Sequence, residues 1–328
     1  MTGQALQISH QHIKVGAFDQ LVGRPLVSVS VAVYNHKNFL KKCLDSILCQ
    51  ETDFEFEVVV ADDCSDDGTR DLLLDYQKLN PSRIVACLAD KNLWKVGRHV
   101  GLTPWYATRQ SRGRYLMFLN GDDYLASPSY LQKAIGFLEG CPDYNLHFCN
   151  ALYEAASHHT DGSLYIKNEP CDRDFTFEEL AEKFVPPTAG LIIRLPNRDF
   201  FDYAWCTTSK VQLIGWCLTA LADGKARFSA DAASVYRVHE LGVATTEMHT
   251  GSHVDDLIAE FGMLYGMLDE QFGFRRHDAL MNGLRSNVRR LIESHLRHST
   301  SRILEESSFK QLIQALWGKL CRTVVRKP

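Results

Sequence analysis

Val58-Val59-Val60-Ala61-Asp62-Asp63-Cys64-Ser65-Asp66-Asp67-Gly68-Thr69 is an apolar, β-branched run that passes without a spacer into a cluster of carboxylates. The run reads as a buried strand, and the cluster sits at its end. A second copy of the pattern follows about sixty residues later, where Tyr115-Leu116-Met117-Phe118-Leu119 runs into Asn120-Gly121-Asp122-Asp123-Tyr124. Grouping carboxylates at the end of a buried strand is electrostatically costly unless something positive binds there. In α/β sheets, ligands sit beyond the carboxyl ends of the strands. The two clusters together therefore predict one site for a divalent cation and a phosphorylated ligand.

Outward from these runs, strand and helix patterns alternate. A strand is predicted over 25–33, then a helix from an Asn38 cap through Phe39, Leu40, Cys43, Leu44, Ile47 and Leu48. A strand over 54–60 and a helix over 67–79 follow, the helix stopped by Asn80-Pro81. Further strands are predicted at 84–88 and 115–119, with a helix around 103–110 between them. This alternation implies a doubly wound, mostly parallel sheet flanked by helices, an α/β fold. A helix over 128–138, a strand over 145–149, a short helix over 177–184, a strand over 191–194, a helix over 211–222 and one or two strands over 226–239 complete the sheet domain. From Glu154 to Asp174 the pattern is polar and turn-rich. Two amphipathic helices, 253–272 and 277–296, form a C-terminal helical extension.

The expected organisation is a leader at 1–24, a sheet domain at 25–245 divided near 125, and the extension at 246–328. A chain of 328 residues has room for that, and 45% hydrophobic with 23% charged residues is ordinary for a soluble globular protein. The net charge of −4 argues against nucleic acid as a partner. The ten cysteines form no zinc-like spacing. Cys43, Cys49, Cys87, Cys149 and Cys217 lie in apolar runs and are expected as buried free thiols, which fits a reducing compartment. No apolar run approaches the roughly 18–20 residues of a membrane span, and 1–14 lacks a signal-peptide core, so a cytoplasmic location is expected.

The motifs resemble those of the family 2 glycosyltransferases, enzymes of the GT-A nucleotide-sugar fold. The resemblance begins at Val27-Ser28-Val29-Ser30-Val31-Ala32-Val33-Tyr34-Asn35 and passes through Asp62–Thr69, Asn92, Gly97 and Gly113-Arg114-Tyr115. Asp122-Asp123 stands at the family's Asp-x-Asp position, and Val235-Tyr236-Arg237-Val238-His239 follows Ala222-Asp223-Gly224-Lys225 as in many bacterial members. It covers about residues 27–243.

What the resemblance implies is a transferase moving a sugar from a nucleotide-sugar donor, a UDP-sugar first, to a saccharide or lipid-linked acceptor for a surface polysaccharide or similar glycan. Mn²⁺ or Mg²⁺ would serve the departing diphosphate. Asp123 would ligate the metal, Asp122 would reach the ribose or the metal, and His239 would complete the metal shell. Asp63 would accept from the uracil ring, Tyr34 would border it, and Arg98 would pair with a phosphate. Asp62, Asp66 and Thr69 are read as loop support and helix capping. Ala32 offers no hydroxyl to the base.

Inversion at the anomeric carbon needs a general base. Relatives place a carboxylate just before the helix predicted at 211–222, but here the residues are Ser209-Lys210-Val211-Gln212-Leu213-Ile214-Gly215-Trp216. Asp199 and Asp202 are the nearest substitutes. The rival reading is a catalytically impaired relative that binds nucleotide or glycan and recruits partners. A sugar nucleotidyltransferase or a dinucleotide-dependent oxidoreductase would want a glycine-rich loop after the first strand, and Tyr34-Asn35-His36-Lys37-Asn38 has no glycine. The segment 308–327 combines an apolar face, Trp317 and a basic flank, which suits either a membrane surface or docking on protein. The helices from His253 onward offer a possible homodimer surface.

Overall fold

The computed structural model describes residues 12–16, 23–93, 102–155, 160–184, 186–209, 211–239 and 254–299. They form two compact units, one of residues 1–177 with 185–240, the other of 178–184 with 241–328.

The first unit is built on one eleven-stranded mixed sheet. Its strands are β1 (Ile13–Val15), β2 (Val27–Val33), β3 (Phe56–Asp62), β4 (Ile84–Ala89), β5 (Tyr115–Asn120), β6 (Tyr124–Leu125), β7 (Tyr144–Ala155), β8 (Thr160–Leu164), β9 (Arg173–Phe175), β10 (Leu191–Arg194) and β11 (Lys225–Val238). The spatial order is β1-β4-β3-β2-β5-β10-β7-β11-β6, with β8 on β7 and β9 on β11. The long registers, β2 with β3 and β5, β3 with β4, and β7 with β11, are parallel. The short ones are antiparallel. The carboxyl ends of β2, β3, β4 and β5 thus share one edge, which holds both acidic clusters.

Helices α1 (Lys37–Leu48), α2 (Thr69–Leu79) and α4 (Tyr130–Gly140) cover one face of this sheet. Val27, Val29, Val31 and Val33 of β2 pack against them with no more than 3% exposure, the period-two pattern of a strand. The alternate residues are buried too. Ser28 donates to Glu57 at 2.6 Å and Ser30 meets Thr108 at 3.0 Å, under α3 (Leu102–Gln110). That face is completed by α6 (Gln212–Ala220), where Trp216 stacks on Phe118 with ring centroids 4.9 Å apart.

Several expectations are corrected. Ile13–Val15 of the leader is an edge strand on β4. Asn38 is not the cap of α1; the helix starts at Lys37, whose amide donates to Asp67 Oδ2 at 3.0 Å. The polar stretch after Glu154 contains β8 and β9. Cys49 is exposed at the end of α1, while Cys43, Cys87, Cys149 and Cys217 are buried thiols. Among the described residues no helix is long and apolar enough to cross a membrane.

In the second unit, α7 (Val254–Gln271) and α8 (His277–Ser299) bury Leu264, Tyr265, Leu268, Leu280 and Leu284. Residues 178–182, most of α5 (Phe177–Glu182), belong here. The Ala181 carbonyl accepts from Tyr265 Oη at 2.7 Å and Asn287 Nδ2 at 2.9 Å. Segment 308–327 and its membrane or docking role lie outside the described residues.

Candidate active site

The edge is assembled around the end of β2. Asp63 N donates to the Val33 carbonyl at 3.1 Å, and Gly121 N donates to the Ala32 carbonyl at 2.8 Å. The two acidic loops therefore flank Tyr34, Asn35 and His36, one strand away on either side, a span of about 10 Å by ordinary strand spacing. Gly121 is required by the closeness of that approach, because a Cβ there would lie 2.4 Å from Val33 Cγ1 and 2.9 Å from His36 Nδ1.

The first loop is held by its own polar groups. Asn35 has a left-handed φ of 54°, which Asn tolerates, and it exchanges hydrogen bonds with Asp66 at 2.9 and 3.0 Å. Asp62 is fully buried and receives Arg70 Nη2 at 2.7 Å. Asp67 accepts from Thr69 N at 2.9 Å and from Thr69 Oγ1. Asp63 Oδ1 accepts from Leu93 N at 3.0 Å and Thr103 Oγ1 at 2.7 Å.

In the second loop the paired aspartates diverge. Asp122 Oδ2 meets His239 Nε2 at 3.0 Å and His36 Nε2 at 3.8 Å. The ligand atoms of this His-Asp-His group all lie within 4.8 Å of one another. Asp123 is 1% exposed, and its Oδ1 accepts from the Arg237 amide at 2.9 Å. Asp122 Oδ1, Asp123 Oδ2 and His36 Nδ1 are buried without a hydrogen-bond partner. Buried polar atoms left this way are rare and mark functional sites.

Burial pushes the Asp122 carboxyl up, but the His239 hydrogen bond and the neighbouring His36 outweigh it and hold the group below its usual range. Burial, with the charge of Asp122 beside it, pushes Asp123 well above the carboxylate range. Burial lowers His36, only partly offset by Asp122, and so favours the neutral imidazole that can ligate a metal.

Behind the doublet, Arg237 Nε donates to Glu154 Oε1 at 2.8 Å and Nη1 donates to the Asp122 carbonyl at 2.9 Å. Its guanidinium lies over the Tyr124 ring, 4.6 Å from the centroid. Lys42 Nζ stands 3.5 Å from Glu154 Oε2.

Of the site residues expected from sequence, Tyr34, Asp63, Asp122, Asp123 and His239 come together at this edge. Arg98 lies outside the described residues. Asp199 and Asp202 are not brought there. They follow β10, which runs antiparallel to β5 and ends beside Tyr115, at the opposite edge. Asp202 is also paired with Arg109 in the last turn of α3, whereas Thr103 in its first turn holds Asp63. His36 is the residue that sequence reasoning missed; its one signal is its place directly after Tyr34-Asn35.

Residues 28–148 match the family model described as Glycosyl transferase family 2. Over that segment the chain is similar to that family. Its sheet unit has the GT-A fold. The solved Staphylococcus aureus TarS 1–349 in complex with UDP-GlcNAc superposes with a TM-score of 0.52 at 18% identity, covering 82% of this chain and 81% of that one. In sequence, the poly(ribitol-phosphate) β-N-acetylglucosaminyltransferase TarS of S. aureus is 30% identical over 113 residues, 34% of this chain and 18% of TarS. An uncharacterized protein of Mycobacterium tuberculosis is 27% identical over 225 residues, 66% of this chain and 59% of that protein. The chain thus spans about three fifths of the mycobacterial relative's length.

Proposed function

We propose that this glycosyltransferase moves a sugar from a nucleotide-sugar donor, a UDP-sugar first, to a saccharide or lipid-linked acceptor, with inversion and with a divalent ion. The observation that carries the reading is the His36–Asp122–His239 cluster, with Asp63 beside it across the end of β2 at the carboxyl edge. The nucleoside would lie across the end of β2, with Tyr34 bordering the base and Asp63 beside it. The name of TarS and the UDP-GlcNAc bound to it support a uridine donor and a cell-surface glycan product.

The donor set fits a metal. Two atoms each about 2.1 Å from one ion can stand 3–4 Å apart, which matches the 3.0 and 3.8 Å separations from Asp122 Oδ2. Two imidazoles and one carboxylate favour Mn²⁺ over Mg²⁺, which prefers oxygen. An ion held there would neutralise negative charge on the leaving diphosphate. Asp123, buried against the Arg237 amide, sets the loop that presents Asp122 and can join the ion through Oδ2.

The test is Mn²⁺ binding followed by electron paramagnetic resonance with UDP present, beside hydrolysis of a UDP-sugar panel. Asp122→Ala should abolish both, and His36→Ala should weaken Mn²⁺ by about tenfold, the size of losing one ligand or its support. Unchanged Mn²⁺ affinity in Asp122→Ala would refute the site.

A second reading, nucleotide or glycan binding without turnover, is favoured by one observation. Asp199 and Asp202 stand at the wrong edge, and Gln212, where relatives carry the carboxylate, is buried and donates to the Cys206 carbonyl at 2.7 Å. Donor binding with no hydrolysis and no transfer would select it.

A further inference from the structure

Tyr153 of β7, Tyr165 just after β8 and Tyr236 of β11 form a triad that the site described above does not use. Tyr153 stacks on Tyr165 with centroids 5.5 Å apart and an interplanar angle of 27°. Tyr236 stands edge-on to both, at 5.8 Å and 5.6 Å. All three are half-buried, neither core nor open surface. None of the hydroxyls has a hydrogen-bond partner among the described residues, and none is enclosed, so each is open to a ligand.

Their position is specific. Tyr236 and Tyr153 are register partners on adjacent parallel strands, as are Arg237 and Glu154. Arg237 and Glu154 point to the side of Phe39 and Tyr124, where the guanidinium lies 5.3 Å from the Phe39 ring. Side chains alternate along a strand, so the tyrosines face the other way. Tyr236 directly precedes the residue whose amide holds Asp123 at 2.9 Å.

The geometry points to a carbohydrate-binding platform: the Tyr153–Tyr165–Tyr236 cluster takes one hexopyranose ring of the acceptor and presents it to the Asp122 edge. The apolar face of a pyranose stacks on aromatic rings, while its equatorial hydroxyls need donors and acceptors around the rim. Three rings with three unpaired hydroxyls supply both. A lipid tail would gain nothing from the hydroxyls, and a nucleobase would not need three. Groups built to bond a sugar's hydroxyls also discriminate strongly against analogues that lack them. The assignment rests on the glycosyl-transfer reading for its purpose, but saccharide binding is measurable without it.

The experiment is saturation-transfer NMR of the full chain with methyl glycosides of glucose, galactose, mannose and N-acetylglucosamine. At least one should bind the wild type at millimolar concentration. Tyr236→Ala and Tyr153→Ala should each weaken it about tenfold, while Tyr236→Phe, which keeps the ring, should lose only a few-fold. Circular dichroism and the urea-unfolding midpoint check that each variant is folded. Binding in the alanine variants equal to wild type, or no binding of any of the four by wild type, overturns the platform. Failure of the wild type to hydrolyse or bind any donor, with saccharide binding intact and tyrosine-dependent, would instead count against the transfer reading alone.

Discussion

Arg237 carries more of the site than any residue that faces it. It touches Asp122 through the backbone carbonyl, Asp123 through its own amide, and Glu154 through its guanidinium. Arg237 and Glu154 are 8% and 7% exposed at their side chains, so this is a buried pair. Removing one partner of such a pair costs about 3–5 kcal/mol, because the other charge is stranded. Lys42 at 3.5 Å and the Tyr124 hydroxyl at 2.7 Å stay with Glu154, so Arg237→Met should lower unfolding free energy by about 3 kcal/mol, the low end of that range, and adding Glu154→Gln should restore a large part. Mn²⁺ affinity should stay low in the double variant, since the contact to the Asp122 carbonyl is not rebuilt. Equal recovery of stability and Mn²⁺ binding would show that Arg237 acts on the fold alone. At this scale the sequence discloses residues whose role is local. Asp62–Thr69 and Asp122-Asp123 are legible because a carboxylate run after an apolar run has few explanations. His36 is not, because its partners lie 86 and 203 positions away and no spacing rule joins them.

Elements show the same division. The Val-Ser alternation of β2, the apolar runs of β3 and β5, and the helix spacing of α1 were sufficient to place a parallel α/β sheet. What failed was the start of α1. Asn38 has the right chemistry for a cap, but a carboxylate from a different loop arrives first. Asp67 accepts from the Lys37 amide at 3.0 Å and the Thr69 amide at 2.9 Å, so one side chain terminates two helices. Burial raises the Asp67 carboxyl, but the bonds from Thr69 and Lys37 outweigh it and leave it below its ordinary value. Asp67→Ala should cost about 1–2 kcal/mol in urea unfolding, the range for losing an N-terminal cap, whereas Asn38→Ala should cost a few tenths at most. The reverse order would restore Asn38 as the cap. The strands after Glu154 were illegible for a related reason: β8 and β9 are short, edge-lying and polar, and pairing with β7 and β11, not their own pattern, makes them strands.

Across the whole molecule, residues 178–184 group with α7 and α8, a membership settled by side chains about a hundred positions away that satisfy the Ala181 carbonyl, beyond the reach of any local pattern. The sheet unit carries its own titratable burden. His147 on β7 is 6% exposed, beneath Phe137 and Tyr130 of α4. Tyr130 donates to the Gly190 carbonyl, so His147 Nδ1, 3.2 Å away, is the donor to the phenol oxygen. Burial first, then the charge of Arg227, lowers its pKa to about 4, with Asp172 opposing. Between that value and an unfolded value near 6.5, the unfolded chain binds the extra proton and the native state does not. Stability therefore falls as pH drops through that window, by about 3 kcal/mol in full, and levels off below it. His36, lowered in the same direction, adds to the slope, and Asp123, raised, opposes it from its raised pKa down to the ordinary carboxylate value. The difference between wild type and His147→Leu isolates the one group. Wild type should lose about 3 kcal/mol relative to the variant between pH 7 and pH 4 in chemical denaturation, with no relative change from pH 7 to pH 8. A parallel pair of pH profiles would mean that His147 is charged in the folded state, which its burial under α4 and the charge of Arg227 both oppose.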